Sequence, residues 1–278
     1  MRNNIVPILS RYKRKLYVEP FGGACGLLFG KEREIEVYND ANQSLVNLFR
    51  VLRNPKQAQE IERLCNITPV SRVYFNELRE LVYEFQNGRS TITLQNELGL
   101  KCAPKTAIAF AFFYVMNTTF RGNVANLSYG GGEKNRKGNS IQNAYYRRVD
   151  QIPQFCERLR TVAIENLDYR DCLMKYDCDT TLFYLDPPYE REISKTYKQQ
   201  FNAEELVELL LSLKGSFVLS CYNAPVYERL LEVCERATFK ANSTIKRNGS
   251  KADSDRIETC YYSKRGLDSA NSGVFKLS

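Results

Sequence analysis

Apolar residues recur at two different spacings along this chain, and the switch between them divides it into three stretches. Ile5, Ile8, Leu9 and Tyr12 fall at helical spacing and predict a short basic helix over 3–15. Leu16-Tyr17-Val18 and Ile35-Glu36-Val37-Tyr38 are short runs of strand formers. The first leads into a glycine-rich turn and the second ends at Asn39-Asp40. A helix is expected from Ala41 to Arg53, stopping at Asn54-Pro55 because the residue before a proline is pushed out of the helical region. Strands joined through a glycine turn, with an acidic residue after the second, open a nucleotide-binding α/β sheet. The helical period then takes over, with candidates at 56–65, 71–86 and 104–117, a polar turn-rich stretch at 118–140, and a helix over 141–160 apart from Pro153. Alternation returns as strand 161–166, helix 170–175, strand 181–185, helix 203–213, strand 216–221 and helix 224–235. Late strands near 237–246 and 256–263 flank a polar loop. The prediction is therefore a sheet domain made of 1–54 and 161–278, interrupted by a mainly helical insertion over 55–160.

Composition narrows the chemistry. The 278 residues are 43% hydrophobic and 26% charged, as in ordinary folded domains, and no apolar run approaches the ~20 residues of a membrane span. The N-terminal Ile5-Val6-Pro7-Ile8-Leu9 is too short for a signal-peptide core, so a cytoplasmic location, in a bacterium or a phage-infected cell, is expected. There is no histidine, which removes Ser-His-Asp and Cys-His catalysis and every imidazole zinc site. Acid–base work must fall to carboxylates, Lys, Tyr or Cys. The nine cysteines form no CxxC and read as reduced, mostly buried thiols; no metal is expected. A net charge of +8 suits a polyanionic partner.

Two motifs carry the candidate chemistry. Glu19-Pro20-Phe21-Gly22-Gly23-Ala24-Cys25-Gly26 follows a strand, where glycines let backbone approach a ligand closely. It is neither a P-loop, since Cys25 and Glu32 break GxxxxGK[ST], nor a GxGxxG turn. Asp186-Pro187-Pro188-Tyr189 follows the apolar strand Thr181–Leu185. Two prolines stiffen the backbone and remove two donors, leaving carbonyls as acceptors. With one carboxylate before them and one ring after, the turn can accept two hydrogen bonds from an exocyclic amino group and stack on its base.

Together these motifs resemble the S-adenosylmethionine-dependent DNA adenine-N6 methyltransferases, in the arrangement with the glycine motif first and the recognition region in the middle. Tyr38-Asn39-Asp40 resembles the family's acidic second motif and Asn166-Leu167-Asp168-Tyr169 its third. Phe120-Arg121-Gly122 with Tyr129-Gly130 looks like a shortened recognition core of phage-type members, and Ser220–Asn223 and Lys246–Lys251 also fall at motif positions. The resemblance implies a Rossmann-like methyltransferase sheet with helices on both faces and an inserted target-recognition domain. It implies S-adenosyl-L-methionine as cofactor, S-adenosylhomocysteine as product, and catalysis by Asp186, Pro187, Pro188 and Tyr189. It implies cofactor contacts from Glu19, Pro20, Phe21, Gly22, Gly23, Gly26, Asp40, Asp168, Tyr169 and Asp186. Asp40 would accept the ribose hydroxyls and Asp168 the cofactor's adenine amino group, although each could instead cap the helix that follows it. The family usually opens with a Gly-Gly-Lys element, whereas here Arg2-Asn3-Asn4 leads straight into the first helix. A later chain start, a replacement contact and weakened cofactor binding all remain open.

Double-stranded DNA is the expected partner, its target base flipped out of the helix for reaction. Residues 118–150 hold six basic residues against two acidic ones, half of the chain's net charge. Arg121 is the first candidate for reading a base, with Asn123, Lys134, Arg136 and Lys137 beside it. Lys195 and Lys198, just past the proline turn, and Lys246, Asn248 and Lys251 in the late loop are further candidates. Methylation of RNA or of a protein glutamine, and a non-catalytic DNA-binding derivative, are the competing readings. Asp186 counts against the glutamine enzymes, which carry Asn at that place, and the intact proline turn counts against a pure binding module.

Overall fold

The computed structural model describes residues 2–119, 129–130, 141–188, 201–222, 224–240 and 257–268. Their contacts divide the chain into two compact units, Met1–Ala41 with Leu167–Ser278, and Asn42–Asn166.

The first unit is the sheet. Helix α1 (Arg2–Leu9) precedes β1 (Leu16–Glu19), and β2 (Glu36–Asn39) follows after a single 3-10 turn at Leu28–Gly30. After the second unit come α9 (Tyr169–Tyr176), β4 (Thr181–Leu185), α10 (Ala203–Ser212), β5 (Ser216–Tyr222), a 3-10 helix (Pro225–Glu232), β6 (Cys234–Lys240) and β7 (Ile257–Ser263). These six strands lie in the order β2-β1-β4-β5-β7-β6. The β1, β2, β4 and β5 pairings are parallel, and β7 runs antiparallel to both β5 and β6. Alternate strand residues, Val18, Val37, Phe183, Leu185, Phe217, Leu219 and Tyr261, bury one face against Tyr169, Cys172 and Leu173 of α9, Leu206, Val207 and Leu210 of α10, and Tyr227 and Leu230. At about 1.5–3 kcal/mol per fully buried side chain, this layer dominates the unit's stability. Tyr17 belongs to the opposite face, where Arg14 and Lys31 lie over its ring at 5.7 and 4.1 Å.

The second unit is mainly helical: α2 (Gln43–Leu52), α3 (Pro55–Ile67), α4 (Arg72–Gln86), α5 (Ile92–Glu97), α6 (Pro104–Thr118), α7 (Ile141–Val149) and α8 (Ile152–Leu159), with β3 (Val162–Glu165) at its end. Asn42, Asn54 and Ser71 cap α2, α3 and α4 by accepting backbone N–H groups of the first turn. Helix α6 is apolar around its whole circumference because α2, α3, α4, α5 and α7 all pack on it. This unit carries 17 Lys and Arg against 10 Asp and Glu, so seven of the eight net positive charges lie in it.

Most elements lie where the apolar spacing puts them; the departures have local causes. The first helix ends at Leu9 rather than 15. The helix expected over 141–160 is two helices, because Pro153 sits in the first turn of a new one and cannot donate within a continuous helix. Residues 225–232 are 3-10 rather than α-helical, and their buried side chains, Tyr227 and Leu230, are three apart, the spacing that stacks in a 3-10 helix. Helix α5 lies in the stretch expected to be helical but between its named candidates; its buried residue is the polar Gln95, whose amide donates to the carbonyls of Leu100 and Cys102. Among the described residues no helix is long and apolar enough to cross a membrane.

Candidate active site

Hydrogen bonds at both glycines fasten the turn after β1 to the end of β2. Gly22 donates its N–H to the Asn39 carbonyl at 2.8 Å, Gly23 donates to Asp40 Oδ2 at 2.8 Å, and the Tyr38 hydroxyl donates to the Gly23 carbonyl at 2.9 Å. The Tyr38 ring occupies the space that a side chain at 22 would need: a Cβ there would stand 1.9 Å from Tyr38 Cε2. Gly23 has φ +47°, in the left-handed region that costs other residues about 1–2 kcal/mol. Gly23→Ala is therefore expected to lower stability by that amount in urea unfolding. Packing dictates the first glycine and backbone conformation the second. A Cβ on Gly23 or Gly26 would meet no atom within 4 Å, so the turn has open space beside it.

Asn39 ties the turn to a third segment. Its fully buried side chain donates from Nδ2 to the carbonyls of Pro20 (2.9 Å) and Leu167 (3.1 Å), and its Oδ1 accepts the Leu167 N–H at 2.8 Å. Leu167 precedes Asp168, which caps α9 by accepting the Arg170 N–H at 2.9 Å. The Arg170 guanidinium holds both Asp168 oxygens at 3.0 and 3.1 Å and also pairs with Glu205. Of the two acidic residues weighed as helix caps, Asp168 has that role and Asp40 does not; Asn42 caps α2. Tyr169 is buried, with Phe21 stacked on it at 5.0 Å and Phe201 at 5.9 Å from both rings.

Glu19 ends β1 with its carboxyl buried. The Tyr17 hydroxyl donates to Glu19 Oε1 at 2.8 Å, and the buried Lys31 ammonium pairs with Glu34 and Glu36. Burial pushes the Glu19 carboxyl up to about 7; the Tyr17 hydrogen bond and the Lys31 charge pull it down, while Glu36 and Asp186 raise it further. A raised carboxyl keeps its proton in the folded chain over the window from 4.5 to about 7, where the unfolded chain releases it. Stability should therefore fall as pH rises through that window, by up to about 3 kcal/mol, and level off above it. Urea unfolding at pH 5 and pH 8 should show this loss in the native chain and a much smaller one in Glu19→Gln.

β4 delivers the proline turn to the same end of the sheet. The pairing of Val18 with Phe183 sets the exits of β1 and β4 side by side, at the point where the strand order reverses. Ligands of parallel α/β sheets bind beyond the carboxyl ends of strands at such a reversal. Asp186 is close enough for its charge to raise Glu19, Tyr184 and Cys221, the last to about 12 after burial has its larger effect. Pro187 is buried and Pro188 half-buried.

The fold thus gathers Glu19, Pro20, Phe21, Gly22, Gly23, Gly26, Asp40, Asp168, Tyr169, Asp186, Pro187 and Pro188 into the sheet unit. Tyr189, Arg121, Asn123, Lys134, Arg136, Lys137, Lys195, Lys198, Lys246, Asn248 and Lys251 lie outside the described residues. Motif matching included Tyr38 and Asn39 in the acidic motif but gave them, and Arg170, no role in holding the turns in place; a polar Asn ending an otherwise buried strand was the available signal. All nine cysteines are free thiols, seven of them buried. Among the described residues no group of three or more Cys, Asp or Glu is placed to hold a metal ion.

One known family matches the chain. A model of the D12 class N6 adenine-specific DNA methyltransferases matches residues 1–226, from the first helix through the glycine turn and the proline turn to just past β5. A search of curated proteins gave no match. With four-fifths of its length matched, including both motifs at the strand exits, the chain belongs to the D12 class of N6 adenine-specific DNA methyltransferases.

Proposed function

We propose that the chain transfers a methyl group from S-adenosylmethionine to N6 of adenine in a specific sequence of double-stranded DNA, with the target base flipped out of the duplex. The observation that carries this reading is the Asp186-Pro187-Pro188 turn at the exit of β4 beside the glycine turn at the exit of β1. The residues present suit the cofactor. Gly23 and Gly26 border open space, Glu19 and Asp40 supply carboxyl groups, and Phe21 on Tyr169 supplies an aromatic surface. Asp40 would receive ribose hydroxyls while Gly23 fixes one of its oxygens, and Asp168, steered by Arg170, would receive the adenine amino group. When bound, the cofactor supplies an electrophilic methyl group and is left as S-adenosylhomocysteine.

The chain's own work is to prepare the nucleophile. An aromatic amine is a poor one because its lone pair is delocalised into the ring. Acceptance of its two N–H groups by the Asp186 carboxylate and the Pro187 carbonyl favours pyramidal nitrogen and localises that pair. This is catalysis by positioning and electrostatics, and it needs no histidine; the alkylated nitrogen gives up its extra proton after the methyl transfer. Tyr189 would stack on the flipped base, returning about 1–3 kcal/mol of the unstacking cost. The +7 charge of the helical unit supports DNA contact there, with Arg121 as base reader and Lys134, Arg136 and Lys137 on phosphate. Incorporation of labelled methyl from S-adenosylmethionine into unmethylated duplex DNA tests the reading. Label on N6 of adenine in one repeated sequence is the expected result. Label in RNA but not DNA, or DNA binding with no incorporation, would overturn it in favour of the competing readings.

A further inference from the structure

We infer that Asn39 is a positioning residue of the cofactor site, the tie that sets the glycine turn and the turn before α9 at a fixed spacing. The inference rests on the cofactor reading above and adds a residue to it. The two turns come from chain segments separated by more than a hundred residues, and Asn39, the last residue of β2, stands between them. It accepts the Gly22 N–H through its own carbonyl, donates to the Pro20 carbonyl, and both donates to and accepts from Leu167. Both amide protons and the amide oxygen are used, at 2.8–3.1 Å, in a side chain with 0% exposure. Aspartate would turn the same position into a carboxylate facing two carbonyl oxygens, so the amide is required and not merely a residue of that shape. Pro20 and Leu167 directly precede the two aromatic residues that stack, Phe21 and, one residue further, Tyr169 beside Asp168. Loss of the tie frees the Asp168 end of the site to shift relative to the glycine end. Asn39 touches no reacting atom in this account; its effect runs through the turns it holds.

The test compares native chain, Asn39→Ala and Asn39→Ser by titration calorimetry with S-adenosylmethionine, thermal melting without ligand, and methyl transfer at saturating cofactor and DNA. The Kd for S-adenosylmethionine should rise at least about tenfold, with kcat at saturation changed by less than about threefold. Asp168→Ala should cost markedly less affinity in the Asn39→Ala background than in the native one, because its carboxylate is no longer held in register. A lower melting temperature with unchanged Kd, or strictly additive losses in the double variant, would reduce Asn39 to a structural role and overturn the proposal. It would also be withdrawn if neither variant reached the native circular dichroism spectrum. Failure of the native chain itself to bind S-adenosylmethionine would instead remove the cofactor reading, and this inference with it.

Discussion

Asp186→Ala is expected to lower methyl transfer to DNA about a thousandfold, a rise of roughly 4 kcal/mol in the barrier, while DNA affinity and the unfolding midpoint change little. The expectation follows from what the side chain would do. It offers an acceptor to an amino group whose lone pair must be localised, and a methyl group offers none. Asp186→Asn keeps one acceptor oxygen but adds an N–H₂ that competes for the same space, so it should lose less than alanine and more than nothing. This ordering separates an acceptor role from general-base catalysis, in which asparagine and alanine would be equally poor. The charge of Asp186 also raises Glu19, so the alanine variant should show a shallower loss of stability between pH 5 and pH 8. Full incorporation by Asp186→Ala would sink the assigned role outright.

Gly22→Ala should be the most damaging single methyl group in the sheet unit, destabilising it by about 3 kcal/mol. Its Cβ would stand 1.9, 2.4 and 2.7 Å from three atoms of the Tyr38 ring, and that ring cannot swing aside cheaply. Tyr38 is fully buried, and its hydroxyl is bonded to the neighbouring Gly23 carbonyl. Either the ring leaves, breaking that bond, or the turn leaves, breaking the bonds from Gly22 to Asn39 and from Gly23 to Asp40. Both routes deform the proposed cofactor site, so binding of S-adenosylmethionine should weaken together with stability in urea unfolding. Tyr38→Ala makes room, and the Gly22→Ala/Tyr38→Ala pair should be less unstable than the two single losses added together. A Gly22→Ala chain with native stability would mean that the ring yields freely.

Local patterns carried much of the fold because they arise from nearest neighbours. The strand at Thr181–Leu185 was readable to the residue, since an apolar run ended by an aspartate and two prolines has few other homes. The helices expected from 56 and 71 begin at Pro55 and Arg72, capped by Asn54 and Ser71. The split of 141–160 at Pro153 depended on which of two tolerable proline placements the chain adopts, and the 3-10 form of 225–232 on a packing partner far away in sequence. The site divided along the same line. Glycines after a strand and a carboxylate before two prolines are short-range signatures, so they could be found with no structure in hand. Asn39 could not be assigned its work in that way, because its partner Leu167 is 128 residues distant.

Residue type and spacing along the chain were enough for the α/β class, the two motifs at the strand exits and the resemblance to adenine methyltransferases. The sequence likewise shows that no histidine takes part. The tertiary structure alone decided why Gly22 must be glycine, which of the two acidic residues caps a helix, and that Glu19 is poised to hold a proton near neutrality. It also decided that seven of eight net charges fall within one unit. Each of these depends on which distant groups are brought within a few ångströms, and on how much water is removed when they meet.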